Sequence, residues 1–267
     1  MRKFVSFSLG VLLIAGLVYF TQAQQMSDKA QLGRELFRDP TFNGTLNPPG
    51  GTLNPTGKKA ATGLSCANCH ADFDEEAKPD GLIRAGHSII GVPQRGSAKG
   101  GMISGANFAR AAGGGGFCYE HFLQNIPGDK VNPTAIPAEH AEALMAYFEA
   151  VSGDNKGPEF KIEMLDADAK AAAGEKIAAM QGDVKKGWQL FGHACVVCHP
   201  TPKKAGIGSQ LVRSRPPRNI DSTMTRWATK IRGGGTLMPF YASDILSDQD
   251  IADILAFLRD QMESTAR

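Results

Sequence analysis

The chain is short of cysteine, of aromatic side chains and of net charge. It has five cysteines in 267 residues. Four of them fall into two close pairs, so once both pairs are committed elsewhere only Cys118 is left, and no intramolecular disulfide can form. A chain of this size without disulfides needs another source of rigidity if it is exported. Phe, Trp and Tyr together make up 7% of the residues, and strand-like alternation is almost absent, which disfavours a sandwich or barrel. The formal net charge is only +2, which excludes the strongly basic footprint of a nucleic-acid binder. Only one run, residues 4–20, is apolar enough to approach the length of a bilayer span.

That run follows Arg2 and Lys3 and is succeeded by Thr21-Gln22-Ala23, the charged, apolar and small-residue order of a secretory signal. The expectation is a signal peptide over 1–23, export to the periplasm, and no membrane span after cleavage; an uncleaved anchor is the alternative.

Against this background two pentads stand out, Cys66-Ala67-Asn68-Cys69-His70 and Cys195-Val196-Val197-Cys198-His199, about 130 residues apart. The two thiols of each lie one helical turn apart and can add across the vinyl groups of a haem, with the adjacent histidine under the iron. A structural zinc site would need four ligands in a compact array. A thioredoxin-type pair would lack the trailing histidine and require a βαβ setting. The expectation is two covalently bound haem c groups, held by Cys66, Cys69, Cys195 and Cys198, with His70 and His199 as iron ligands.

The surroundings of the pentads repeat. Gly33-Arg34-Glu35-Leu36-Phe37 and Gly187-Trp188-Gln189-Leu190-Phe191 both read as the apolar side of a helix preceding the pentad. Each half then closes on an amphipathic helix: Ala141, Leu144, Met145 and Phe148 in the first, Ile251, Ile254, Leu255 and Leu258 in the second. Ser247-Asp248-Gln249-Asp250 supplies a capping-box-like start. Residues 39–65, rich in Pro, Gly, Asn and Thr, read as an irregular loop, and a helix is expected over 167–180.

This order of helix, pentad, loop and closing helix resembles class I cytochrome c, twice over. The resemblance implies an all-α chain of two tandem class I cytochrome c domains with long irregular loops. Their bounds are 24–155 around the first haem and 156–267, a linker helix and second domain, around the second. The boundary lies in 152–158.

A sixth ligand for the second haem is legible in Arg232-Gly-Gly-Gly-Thr-Leu-Met238-Pro239-Phe240. Pro239 biases Met238 away from helical geometry, so its thioether can project from an extended loop; Met224 is the fallback, and core filling is the ordinary role of methionine. With His/Met coordination this haem would be a relatively high-potential electron carrier. The first half has no such loop: the matching stretch is Val131-Asn132-Pro133-Thr134-Ala135-Ile136-Pro137. Cys118, Met102, His87, His121 and Met145 remain as candidates there, while His140 and His193 read as structural or exposed.

Phe117-Cys118-Tyr119-Glu120-His121-Phe122-Leu123, a helix after a run of four glycines, resembles the first domain of dihaem thiosulfate dehydrogenases. The resemblance implies that Cys118 binds the iron opposite His70, and that a small sulfur anion is the substrate. The family's arginine after the cysteine is missing, leaving Arg84, Arg95 or Arg110 to take its place. A further resemblance, of the segment 32–40 and the first pentad to dihaem cytochrome c peroxidases, implies an open distal face and is the weaker match.

Charge is unevenly spread. Residues 24–160 carry 12 basic and 15 acidic side chains and residues 161–267 carry 15 and 12. Lys203, Lys204, Arg213, Arg215 and Arg218 cluster beyond the second pentad, either a solvated surface or a rim that steers an acidic redox partner. The sequence therefore points to an exported dihaem protein that passes electrons between a periplasmic donor and an acceptor protein. A thiosulfate-oxidising enzyme is the alternative and a peroxidase the reserve.

Overall fold

The computed structural model describes residues 26–39, 64–73, 80–94, 114–123, 136–157, 165–215, 217–235 and 238–266. The expected signal over 1–23 and nearly all of the 39–65 loop lie outside the described residues. Among those described there is no strand beyond an isolated bridge between Thr201 and Lys204, and no helix is long and apolar enough to cross a membrane.

Local sequence accounts for the helix ends. Helix α1 (Asp28–Arg38) starts where the Ser27 side chain accepts from the Ala30 amide, satisfying one of the free donors of a first turn. Helix α2 (Cys66–Cys69) is the first pentad itself. A 3-10 turn over Val92–Gln94 is followed by α3 (Gly114–Cys118), which runs directly into π-type turns over Tyr119–Leu123. Helix α4 (Ala138–Ser152) begins after Pro137 and ends at Gly153, whose φ is 51°, a conformation glycine adopts without penalty.

In the second half, Asp166 caps α5 (Ala167–Ala178), Asp183 caps α6 (Val184–Ala194) and Asn219 caps α7 (Ile220–Gly233). Helix α8 (Asp248–Ala266) opens on a reciprocal box: the Asp250 amide donates to Ser247 Oγ at 3.1 Å, and the Ser247 amide donates to the Asp250 carboxylate at 3.0 Å. The closing helix expected in the first half is present as α4, and the expected 167–180 helix is present as α5, ending two residues early.

Beside the packing of α5 on α7, two corresponding crossings frame the pentads, α1 against α4 and α6 against α8. Both need a glycine. A Cβ on Gly33 would stand 1.9 Å from the Ala143 carbonyl oxygen, and one on Gly187 would stand 1.9 Å from that of Asp253. The helix backbones therefore approach more closely than side chains would allow. Leu36, Phe37, Leu144, Tyr147 and Phe148 fill the first core, and Phe191, Ile251, Ile254, Leu255 and Leu258 help fill the second. One residue departs from expectation. Trp188, inside the stretch read as the apolar side of its helix, is 61% exposed, because burial of Gly187 and Phe191 turns the intervening position outward.

The glycine requirement gives a test. Gly187→Ala should destabilise the chain by about 1–3 kcal/mol through overpacking. Gly192→Ala, on the same helix with nothing within 4 Å of the added methyl group, should be neutral or stabilise by about 0.5–1 kcal/mol. Chemical denaturation of the two variants reads the contrast.

Candidate functional site

Each pentad histidine is held by the same backbone device. In the first half the Gly86 amide donates to the Cys69 carbonyl at 2.8 Å, and His70 Nδ1 bonds the His87 carbonyl at 2.7 Å. In the second, the Gly208 amide donates to the Cys198 carbonyl at 2.8 Å, and His199 Nδ1 bonds the Ser209 carbonyl at 2.9 Å. The imidazole lies flat on the glycine in both: a Cβ at Gly86 would fall 2.3 Å from His70 Cε1, and one at Gly208 would fall 2.2 Å from His199 Cε1.

A carbonyl oxygen can only accept, so the proton of each ring sits on Nδ1 and Nε2 keeps its lone pair. Burial lowers the His199 pKa against the opposing pull of the Ser209 carbonyl, which favours the neutral ring a metal requires. Two thiols spaced by one turn, a neutral imidazole presenting Nε2 and a glycine cradle fit a covalently attached haem at either pentad. Cys66, Cys69 and His70 would hold one, and Cys195, Cys198 and His199 the other.

The thiols are poised as thiols. Burial, and then the neighbouring Cys118 and Cys69, push Cys66 up to about 12. Burial, Cys118 and Cys198 raise Cys69 to about 12 against the Arg84 charge. Burial and Cys198 bring Cys195 to about 12. Cys118, raised to about 11 by burial, therefore stands within electrostatic reach of both thiols of the first pentad, at the junction of α3 and the π turns. Cys198 likewise stands within electrostatic reach of Cys69 and packs on the first core, so the two pentads are neighbours.

Of the other candidates, Met145 is partly buried against the first core and Met224 is 1% exposed within the second, both in the gap-filling role. Met238 is half-buried against the second core, on the non-helical stretch before α8, and its carbonyl accepts from the Gly235 amide at 2.8 Å. His140 is buried in α4, where burial lowers its pKa, and His193 is exposed. Met102, Arg95, Arg110 and residues 131–135 lie outside the described residues, as does the side chain of His121.

Arg84 is committed: its Nε donates to the Ala67 carbonyl at 3.0 Å, Nη2 pairs with Asp80 at 2.6 Å, and the guanidinium stacks on Phe73 at 5.4 Å. It braces the first pentad instead of presenting itself to an anion. Just beyond that pentad, Asp72 accepts from Tyr147 on α4 and from Arg38 on α1, tying the pentad loop to the helix crossing. In the second half, the Tyr241 hydroxyl donates to the Ala194 carbonyl at 2.7 Å. Burial, then the nearby Cys195, Cys69 and Cys198, hold that phenol well above its usual range. Lys203, Lys204, Arg213, Arg215 and Arg218 are all exposed on the segment joining His199 to α7.

Sequence reasoning missed Gly86, His87 as a carbonyl acceptor, Gly208, Ser209 and Tyr241. The repeat of a glycine followed by the accepting residue was the available signal, obscured by unequal spacing.

Comparison with known proteins agrees with the second half. Residues 182–258 match the family described as "Cytochrome C oxidase, cbb3-type, subunit III", a span that runs from the cap of α6 through the second pentad and Met238 into α8. This stretch, less than a third of the chain, is similar to a cytochrome c domain, which implies covalent haem c and suggests electron transfer. No curated protein and no solved structure matches the chain.

The Asp72 network carries a pH signature. Burial pushes this carboxyl up, but hydrogen bonds from Tyr147 and Arg38 and the Arg38 charge hold it below its usual value. A depressed folded pKa contributes stability that is complete above the ordinary carboxylate range and is lost as pH falls through the lower folded value. Tyr147→Phe should therefore raise the acid-unfolding midpoint and cost about 1–2 kcal/mol near neutrality, as followed by circular dichroism in an acid titration.

Proposed function

We propose that the chain is an exported dihaem c-type cytochrome that relays electrons between a donor and an acceptor protein, with one haem at each pentad in tandem cytochrome c domains. The observation that carries this reading is the duplicated histidine clamp. A glycine amide on the second cysteine's carbonyl, an imidazole flat on that glycine and Nδ1 bonded to the next carbonyl recur at His70 and His199. Their shared purpose would be to present Nε2 to an iron. The glycine-mediated crossings of α1 with α4 and α6 with α8 add to the parallel.

A bound haem c supplies a one-electron ferric/ferrous couple whose potential its axial ligands set. The protein's part is to fix those ligands. Met238, on its Pro-restricted loop, offers a neutral thioether that favours the ferrous state at the second site. Cys118, beside the first pentad's thiols, offers a thiolate once deprotonated by metal binding, which favours the ferric state there. Electrons would then run downhill from first site to second. The exposed cations of 203–218 would receive an acidic acceptor by long-range attraction, an effect that weakens with salt.

The deciding experiment is the mass of the mature polypeptide made with a competent haem-attachment system, expected to exceed the apo mass by two haems after loss of residues 1–23. A single addition would refute the paired relay. Met238→Ala should lower the potential of the second haem alone, by equilibrium redox titration. Cys118→Ala should change the low-spin ferric spectrum of the first haem and leave the second untouched; an unaltered spectrum would eliminate thiolate ligation. Thiosulfate added to the oxidised protein reads the enzymatic alternative, with the haems expected to stay ferric.

A further inference from the structure

We propose that residues 80–87 form a strap through which the second half of the chain sets the histidine of the first site, with His87 and Asp244 as positioning residues. The inference rests on the reading of His70 as an iron ligand and deepens it.

The strap has two faces. On one it grips the first pentad: Arg84 Nε donates to the Ala67 carbonyl at 3.0 Å, the Gly86 amide to the Cys69 carbonyl at 2.8 Å, and His70 Nδ1 to the His87 carbonyl at 2.7 Å. On the other it docks on the second half. The Ile83 amide donates to the His193 carbonyl at 2.9 Å, and Gly81 lies against the His193 ring. Ile83 and Ala85 pack on the second core. His87 Nε2 stands 3.6 Å from Asp244 Oδ2, across the junction of the halves.

The strap is neither helix nor strand, so its path is fixed by what it bonds on either side. His87 is the crucial residue because it reaches both ways, its carbonyl to His70 and its imidazole to Asp244. An imidazole held at Asp244 restrains the backbone that carries this carbonyl. The strength of the carbonyl bond to Nδ1 sets the basicity of the opposite ring nitrogen, and a more basic ligand favours ferric iron. Asp244 would therefore hold the first haem's potential down through His87, although it belongs to the other half. The second loop matches it in packing alone: Ile207, beside Gly208, rests on the first core, while its acceptor, Ser209, carries no ionisable side chain to pair with the first half.

The test is a double-mutant cycle at constant pH, using the haem-loaded full chain. Asp244→Asn, His87→Gln and the double variant are titrated by potentiometry, with the ferric signal of each haem followed by electron paramagnetic resonance. Asp244→Asn should shift the first haem's equilibrium threefold to tenfold toward ferrous, an upper bound of ~59 mV for a one-electron couple. In the His87→Gln background the same substitution should add little, and Asp244→Glu should restore the wild-type value. Exchange of the Ile83 and Gly86 amides with deuterium should quicken in Asp244→Asn.

An equal shift in both backgrounds would mean that Asp244 acts as a bare charge and would overturn the strap. So would an unchanged potential and unchanged exchange in a protein whose mass shows two haems. A wild-type mass showing no haem on the first pentad would instead remove the underlying reading.

Discussion

Everything in this chain depends on a backbone carbonyl reaching Nδ1 of a pentad histidine. A free imidazole rotates and exchanges its proton between two nitrogens, and neither state alone defines a metal ligand. The carbonyls of His87 and Ser209 remove both freedoms, since an oxygen that only accepts fixes the tautomer and the ring plane together. The carbonyl can come that close only because the residue before it has no side chain. Gly86 and Gly208 are the floor on which the rings lie, and each is itself fastened by an amide bond to the second cysteine of its pentad. Sulfur spacing, ring orientation and loop path thus form one closed unit. A change in any member moves the others.

The same economy governs the scaffold. Crossing helices normally keep their axes apart by interleaved side chains. Here Gly33 and Gly187 let the backbones meet, so that two short helices bring one pentad and one closing helix together with little intervening bulk. Polar ties then lock the result. Buried Arg232 donates to the carbonyls of Tyr241 and Leu246 and to Asp248, holding the segment after Met238 against the start of α8. Asp253, 2% exposed, accepts from the Asp183 amide and pairs with Lys186. Satisfied in this way, buried charges fix a geometry more than they add stability.

Much of this was legible in the sequence, for a definite reason in each case. The pentads are contiguous, so their chemistry is written in five letters. The closing helices carry their packing face at i, i+3, i+4 and i+7, and the Ser247–Asp250 start is a local side-chain pattern. The clamps were not legible because they are made by backbone atoms at unequal separations: the accepting carbonyl lies 17 residues after His70 but 10 after His199. Periodicity also misplaced Trp188. The glycine beside it marks the helix crossing, and a position one residue from that contact turns about 100° away from it. Cross-half contacts such as Ile83 to His193 leave no trace in composition at all.

The two clamps close over loops of unequal length. The second clamp closes within ten residues, with the cations of 203–218 exposed on the same segment, inside the stretch that matches a cytochrome family. The first clamp closes over a longer path, through Ile83 and Ala85 on the second core, while Ile207 of the second loop rests on the first core. A loop that leaves the pentad, touches the neighbouring half at His193 and Asp244, and returns to bond His70 ties the geometry of one site to the presence of the other. A substitution in such a loop therefore acts on the junction as well as on the His70 ring.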